Sequence, residues 1–337
     1  MNEETIRRTR VVLHEDHISH VSSTDFPHQY PGEDLAFNLE TFKKNFRLKI
    51  WKISPSSMEF DIIGIDASIA NALRRILIAE VPTMAIENVF MMNNTSVIQD
   101  EVLAHRLGLI PIKADPTKFD FHKGGVATDV DTIVMKLNVQ CKPKPKRSKD
   151  DQEPYIDSSI YSSHLEFDPR GDQLTLFKDN PIRPVHDDIL IAKLIPGQSI
   201  EAELHLRKGC GREHAKWSPV ATASYRLMPD IILKEDIVGD LADKFVSCFP
   251  EGVAEVVVEN GVRKAKVINP RKCTMSREVL RHPELADKVI LTRVRDHFLF
   301  KIESTGILPP QDLLVQAINI LIEKCTVVKR SLGNIAQ

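Results

Sequence analysis

Residues 66–82 read Asp66-Ala67-Ser68-Ile69-Ala70-Asn71-Ala72-Leu73-Arg74-Arg75-Ile76-Leu77-Ile78-Ala79-Glu80-Val81-Pro82 and are the most informative segment of the chain. Asp66 and Ser68 are N-cap candidates, Ile69, Leu73, Ile76 and Leu77 fall on one face, and Val81-Pro82 stops the period, so the segment predicts an amphipathic helix. Arg74 and Arg75 sit beside the apolar stripe. Before it, Phe46, Leu48 and Ile50 alternate with Arg47 and Lys49. Ser54-Pro55-Ser56-Ser57 then makes a turn, and Met58, Phe60 and Ile62 alternate with Glu59 and Asp61. Period two on both sides of a turn predicts an antiparallel hairpin with one wet face. After it, Asp100 to Gly108 predicts a short helix with Leu103 and Leu107 one turn apart and His105 and Arg106 on its polar side.

Further along, Thr132 to Ala223 is β-rich, most clearly where Ile200, Ala202, Leu204 and Leu206 alternate with Glu201, Glu203, His205 and Arg207. Val253 to Glu259 and Val262 to Ile268, joined at Asn260-Gly261, predict a second hairpin, flanked by short helices over Leu241 to Cys248 and Ser276 to Arg281. The opening pattern then returns. Phe298, Phe300 and Ile302 alternate as a strand, and Pro309-Pro310 introduces a helix to about Leu332, about 33 Å long. Leu314, Ile318, Leu321 and Cys325 share one face of this helix, while Leu313, Ala317, Ile320 and Val327 form another. A helix apolar on two sides packs against two things: its own sheet and a partner chain, or the interior of one domain alone.

The chain has 337 residues, with 45 Lys+Arg against 47 Asp+Glu, a net charge of −2, and 42% hydrophobic residues. Near-neutral charge supplies no overall field for nucleic-acid backbones. Residues 1–10 have no apolar core for a signal peptide, and no run approaches a membrane span. The sequons at Asn93 and Asn94 and the Arg170-Gly171-Asp172 tripeptide therefore read as surface loops. Cys141, Cys210, Cys248, Cys273 and Cys325 are too scattered for disulfides or a zinc site. Gly209-Cys210-Gly211 lacks the third glycine of a dinucleotide loop, and no phosphate-loop, serine-hydrolase or zinc-protease motif is present. His14, His17 and His20 lie in a stretch without sustained period and read as a solvated tail. Asp129 and Asp131 read as structural carboxylates. The run Lys142, Lys144, Lys146, Arg147 and Lys149, followed by Asp150, Asp151 and Glu153, reads as a charged loop, with nucleic-acid contact as the alternative. No catalytic residue is nominated.

Ile69 to Leu77, continuing through Glu80-Val81-Pro82, resembles the signature helix of the RNA polymerase α subunit and its archaeal and eukaryotic relatives. Asn94 to Pro111 is similar to the next block of the eukaryotic and archaeal members. The likeness extends through His214-Ala215-Lys216-Trp217-Ser218-Pro219-Val220 and Ala223 to Pro229 to Glu303-Ser304-Thr305-Gly306, leaving only the first 20 or so residues outside. Within the family, Thr222 to Pro229 and Ser23-Thr24-Asp25-Phe26-Pro27 resemble the larger α-like branch shared by eukaryotic RNA polymerases I and III. The clustered cysteines that hold zinc in the polymerase II counterpart, or an iron–sulfur cluster in many archaeal relatives, have no equivalent here. No metal or cofactor is therefore expected.

The resemblance implies an α+β fold in which an antiparallel sheet plus two helices form an α-like dimerisation domain, over residues 39–84 and 288–337, interrupted by a β-rich insert over 85–287. An extended N-terminal arm over 1–38 and a flexible charged loop near 142–153 complete the expected organisation. By the family's pattern Leu73 on the first helix and Leu314, Ile318, Leu321 and Cys325 on the last face a smaller α-like subunit, and Arg75 and Ile78 dock the second-largest subunit. The implied role is a non-catalytic assembly subunit of nuclear RNA polymerases I and III, nucleolus included, serving rRNA, 5S rRNA and tRNA genes. No direct promoter contact and no membrane contact are expected. Trp217 is expected as a core anchor. The alternatives are an α-like subunit of a polymerase II or archaeal enzyme, or a free-standing nucleic-acid-binding protein using the Lys142 to Lys149 loop.

Overall fold

The structure is a computed structural model describing residues 2–21, 36–144 and 155–335. The Ser23 to Pro27 segment and most of the charged loop near 142–153 lie outside the described residues. The fold is α+β, built on two antiparallel sheets, and the chain divides into two compact units.

The first unit comprises Met1–Trp51, Glu59–Asn71 and Ser224–Phe300. It opens differently from the extended arm expected over 1–38. Helix α1 (Glu3–Thr9) is capped where the Asn2 side chain accepts from the Thr5 N–H, and β1 (Arg10–Leu13) and β2 (Ile18–Ser19) follow. Val12 and Leu13 bury their side chains as β1 pairs with β12 (Val289–Ser304), Val12 opposite Thr292 and Leu13 opposite Leu291. Three consecutive apolar residues, Val11 to Leu13, are too short a run to show a period. Their pairing comes from a strand nearly 280 residues away.

After a short helix α2 (Leu39–Asn45), the hairpin is present as β3 (Arg47–Ile53) and β4 (Ser57–Ile63), closed by the Ser54 N–H donating to Ser57 O at 2.8 Å. Among the described residues the sheet order is β2-β1-β12-β4-β3, with β9 (Val220–Leu233) also on β12. Phe60 stacks on Phe300 with centroids 5.2 Å apart, and Tyr225 meets Phe298 edge-on. Two features depart from a hairpin with one wet face. Asp61, expected on the polar side, is 2% exposed, and all of β3 is exposed, Leu48 and Ile50 by 48% and 49%. β3 is the edge of its sheet, and among the described residues no element buries its side chains. Asp61 is buried because it has partners: it accepts from Trp51 Nε1 at 2.7 Å and Arg271 Nη1 at 2.5 Å and bonds His297 Nε2 at 3.1 Å. Burial opposes its charge, and the hydrogen bonds from Arg271, Trp51 and His297 outweigh burial, so its carboxyl lies below the usual range.

The same unit holds α5 (Asp240–Ser247) and the hairpin β10 (Ala254–Glu259) and β11 (Val262–Val267). Asn260 and Gly261, at φ 53° and 78°, make the two-residue turn that Asn-Gly favours. Phe245, Phe249, Val253 and Leu285 form the core here. The second expected flanking helix is only a 3-10 turn over Glu278–Arg281.

The second unit comprises Lys52–Met58, Ala72–Ala223 and Lys301–Gln337. Its sheet runs β7-β6-β8-β5, from Leu165–Phe167, Thr132–Gln140, Ser199–Cys210 and Pro82–Asn94 respectively. Ile200, Ala202, Leu204 and Leu206 are all buried, as their alternation predicts. Helix α4 spans Asp100–Gly108 and contributes Leu103 and Leu107 to this core. Asn94 is no loop residue: it ends β5, and its side chain accepts from the Ser96 N–H. Arg170 and Asp172 do lie at the surface, and Arg170 pairs with Asp168 at 2.8 Å.

Candidate dimerisation surface

Helix α3 spans Ala67–Ala79, and Asp66 Oδ1 accepts the Ser68 N–H at 2.8 Å at its start. Leu73, Ile76 and Leu77 are buried, as the 3.6-residue period demands, whereas Ile69, the first residue of the expected stripe, is 40% exposed in the opening turn. Arg75 is exposed and Ile78 half-buried, so both remain accessible, whereas Leu73, 6% exposed, belongs to the core. The C-terminal end is tied down twice. The Arg212 N–H donates to Ala79 O at 2.8 Å, and Gly211 lies so close to Ile78 O that a Cβ would overlap it. Just past the helix, Glu80 receives both hydrogen bonds from Lys324 Nζ, at 2.5 and 2.7 Å.

Helix α6 (Pro310–Ile335) has 26 residues and is about 39 Å long. Its first two turns are anchored: Leu313, Leu314 and Ala317 are buried. Beyond them the character changes. From Ile318 to Asn334 no side chain is buried, although Ile318, Ile322, Val327, Val328 and Leu332 are exposed by 41% to 62%. Of the residues expected to face a partner, Ile318 and Cys325 are exposed and Leu321 half-buried. Leu314 is buried with Leu313, which corrects its place on the outer face. Val315, Ile322, Val328 and Leu332 extend the exposed set and were missing from the sequence-based one. Val315, Ile318, Ile322, Cys325, Lys329 and Leu332 follow a 3-4-3-4-3 spacing, the seam of helices that pack side by side, and that heptad was the available signal. Such a row of exposed apolar side chains gains little by standing in water.

Trp217 is 6% exposed and donates from Nε1 to Arg207 O at 3.0 Å. It packs flat against Gly209, where any side chain would overlap the indole. The Gly209-Cys210-Gly211 element thus has a structural use that glycine counting missed: one glycine admits Trp217 and the other admits the end of α3.

Among the described residues no group of three or more His, Cys, Asp or Glu is placed to hold a metal ion, and no helix is long and apolar enough to cross a membrane. Burial pushes the Cys141, Cys210, Cys248 and Cys273 thiols up, away from the reactive thiolate form. Asp131 is structural: it accepts from the Thr128 N–H at 2.9 Å and the Thr132 hydroxyl at 2.8 Å, and bonds His122 at 3.0 Å. His14 and His17 stack at 4.3 Å in the turn between β1 and β2.

Comparison with known proteins agrees with this geometry. Residues 59–325 match the model of the RNA polymerase Rpb3/Rpb11 dimerisation domain. The chain is 52% identical to the DNA-directed RNA polymerases I and III subunit RPAC1 of Bos taurus, covering 94% of this chain and 93% of that protein. It is 46% identical to the subunit of the same name in Saccharomyces cerevisiae, over 93% and 95% of the two chains. Identity to the DNA-directed RNA polymerase II subunit rpb3 of Dictyostelium discoideum is 33%, over 83% and 92%. With its signature helix, its half-anchored terminal helix and these relatives, the chain belongs to the RNA polymerase Rpb3/Rpb11 dimerisation domain family.

Proposed function

We propose that this chain is the larger α-like, non-catalytic assembly subunit of DNA-directed RNA polymerases I and III. The observation that carries the reading is the unburied apolar length of α6 beyond Ile318. Support comes from relatives named as subunits of those two enzymes at 46% to 52% identity, against 33% for a polymerase II subunit. Such a subunit works in the nucleus, and the polymerase I share of the work lies in the nucleolus. The proposed dimerisation domain comprises 39–84 and 288–337 around the 85–287 insert.

In this reading Val315, Ile318, Ile322, Cys325 and Leu332 pack against the matching helices of a smaller α-like subunit, with Leu321 at the margin. Arg75 and Ile78 offer a charged and an apolar anchor to the second-largest subunit. Leu73 and Leu314 act indirectly, by holding α3 and α6 in place. Polymerisation belongs to the large subunits.

The test is co-expression with the smaller α-like subunit from the same source, followed by light scattering after gel filtration. A one-to-one complex is expected for the native chain, and its loss for Ile318→Glu/Ile322→Glu. A folded double variant that still pairs would refute the assignment of this face.

A further inference from the structure

A second surface, unrelated to α6, lies on the first unit. Among the described residues strand β3 ends its sheet and pairs only with β4, so one row of backbone N–H and C=O groups faces outward. Residues 41–58 contain Lys43, Lys44, Arg47, Lys49 and Lys52 and no Asp or Glu. Among the described residues Lys44, Arg47 and Lys49 have no carboxylate partner, and Lys43 has only a 3.7 Å contact with the exposed Glu40. By strand alternation Arg47 and Lys49 project to one side, and Phe46, Leu48 and Ile50 to the other, the latter exposed by 40% to 49%. Over residues 46–50 the edge is therefore cationic on one side and apolar on the other, with its ladder unfilled among the described residues, whereas Trp51 and Lys52 beyond it reverse the order.

Three occupants are conceivable, and the chemistry chooses among them. A second copy of this strand would bring like charges face to face, which is how lysines on an edge deter self-association. A nucleic acid would use the cations but leave the Leu48 and Ile50 row wet. The aromatics of the edge are already engaged: Phe46 stacks on Phe42 with centroids 5.5 Å apart, and Trp51 meets Lys49 Nζ at 3.9 Å and the Arg271 guanidinium at 4.6 Å and hydrogen-bonds Asp61. A protein strand with acidic and apolar residues in alternation satisfies all three features at once. Its backbone fills the ladder, its carboxylates meet Arg47 and Lys49, and its apolar side chains cover Leu48 and Ile50. We propose that the free edge of β3 takes up such an acidic, extended segment of a protein partner by strand addition.

The experiment uses the full chain and a fluorescein-labelled peptide of repeated Glu–Val. A Lys–Val peptide and a single-stranded oligouridine serve as comparators, and anisotropy and amide hydrogen exchange are recorded. Saturable binding of the Glu–Val peptide is expected, with slowed exchange confined to β3. Arg47→Glu/Lys49→Glu should weaken it about tenfold or more, since both charge contacts become repulsions. Equal binding of the two peptides, preference for the RNA, or binding without protection of β3 would each overturn the proposal. The exchange measurement on the native chain decides the matter even if the charge-reversal variant folds poorly.

Discussion

A methyl group at position 209 would run into the six-membered ring of Trp217, and nothing about a lone glycine in a strand announces that. Gly209→Ala must push the indole off its site or bend β8, and the expected cost is about 1–3 kcal/mol, read as a lower urea midpoint at unchanged slope. Trp217→Phe, which keeps the ring but drops the hydrogen bond to Arg207 O, should cost less. Asp131 supplies a prediction in pH. Burial works against its charge, but the Thr128 N–H, His122 and the Thr132 hydroxyl prevail and lower the carboxyl from 3.8 to about 2. A carboxyl depressed on folding contributes stability that is fully present above pH 3.8 and is lost as pH falls through about 2. Asp131→Asn should therefore destabilise at neutral pH by on the order of 1–2 kcal/mol, and its deficit relative to the native chain should close between those two values in acid unfolding curves.

Whole elements were legible in the sequence wherever period and punctuation agreed. Helix α3 lies between its Asp66 cap and Pro82, α4 keeps the bounds read from Asp100 and Gly108, and the Asn260-Gly261 hairpin turns where expected. What periodicity could not reveal was which apolar residues have neighbours. Leu48 and Ile50 alternate like core residues yet lie on an edge, and Asp61 alternates like a surface residue yet is enclosed by Arg271 and His297 from distant parts of the chain. The same limit put Leu314 on the outer face of α6, because a helix with two apolar stripes does not say which one its own fold covers. An expectation for α6 follows. Amides from Cys325 onward, beyond the Lys324 contact with Glu80, lie in a helix whose described side chains are all exposed, so they should exchange near the rate of a fraying helix in the lone chain. Those around Leu313 and Ala317 should be protected. Uniform protection along α6 in the lone chain would contradict the exposed length.

At the scale of the molecule, the two halves of α6 separate stability from association. Leu314→Ala removes a buried side chain and should lower the stability of the lone chain by about 2–4 kcal/mol. Ile318→Glu replaces an exposed one and should leave that stability within about 0.5 kcal/mol. Adding the smaller α-like subunit should narrow that gap. A partner that binds only the folded chain raises its apparent stability with concentration, by about 2.7 kcal/mol at a hundredfold excess over the dissociation constant. Leu314→Ala, whose outer face is intact, should recover much of its deficit as partner is added, whereas Ile318→Glu should gain little. Thermal melts of both variants across a partner titration measure this directly. Parallel rises for the two would mean that association does not run through the outer face of α6, and would shift attention to the surfaces of α3 and β3.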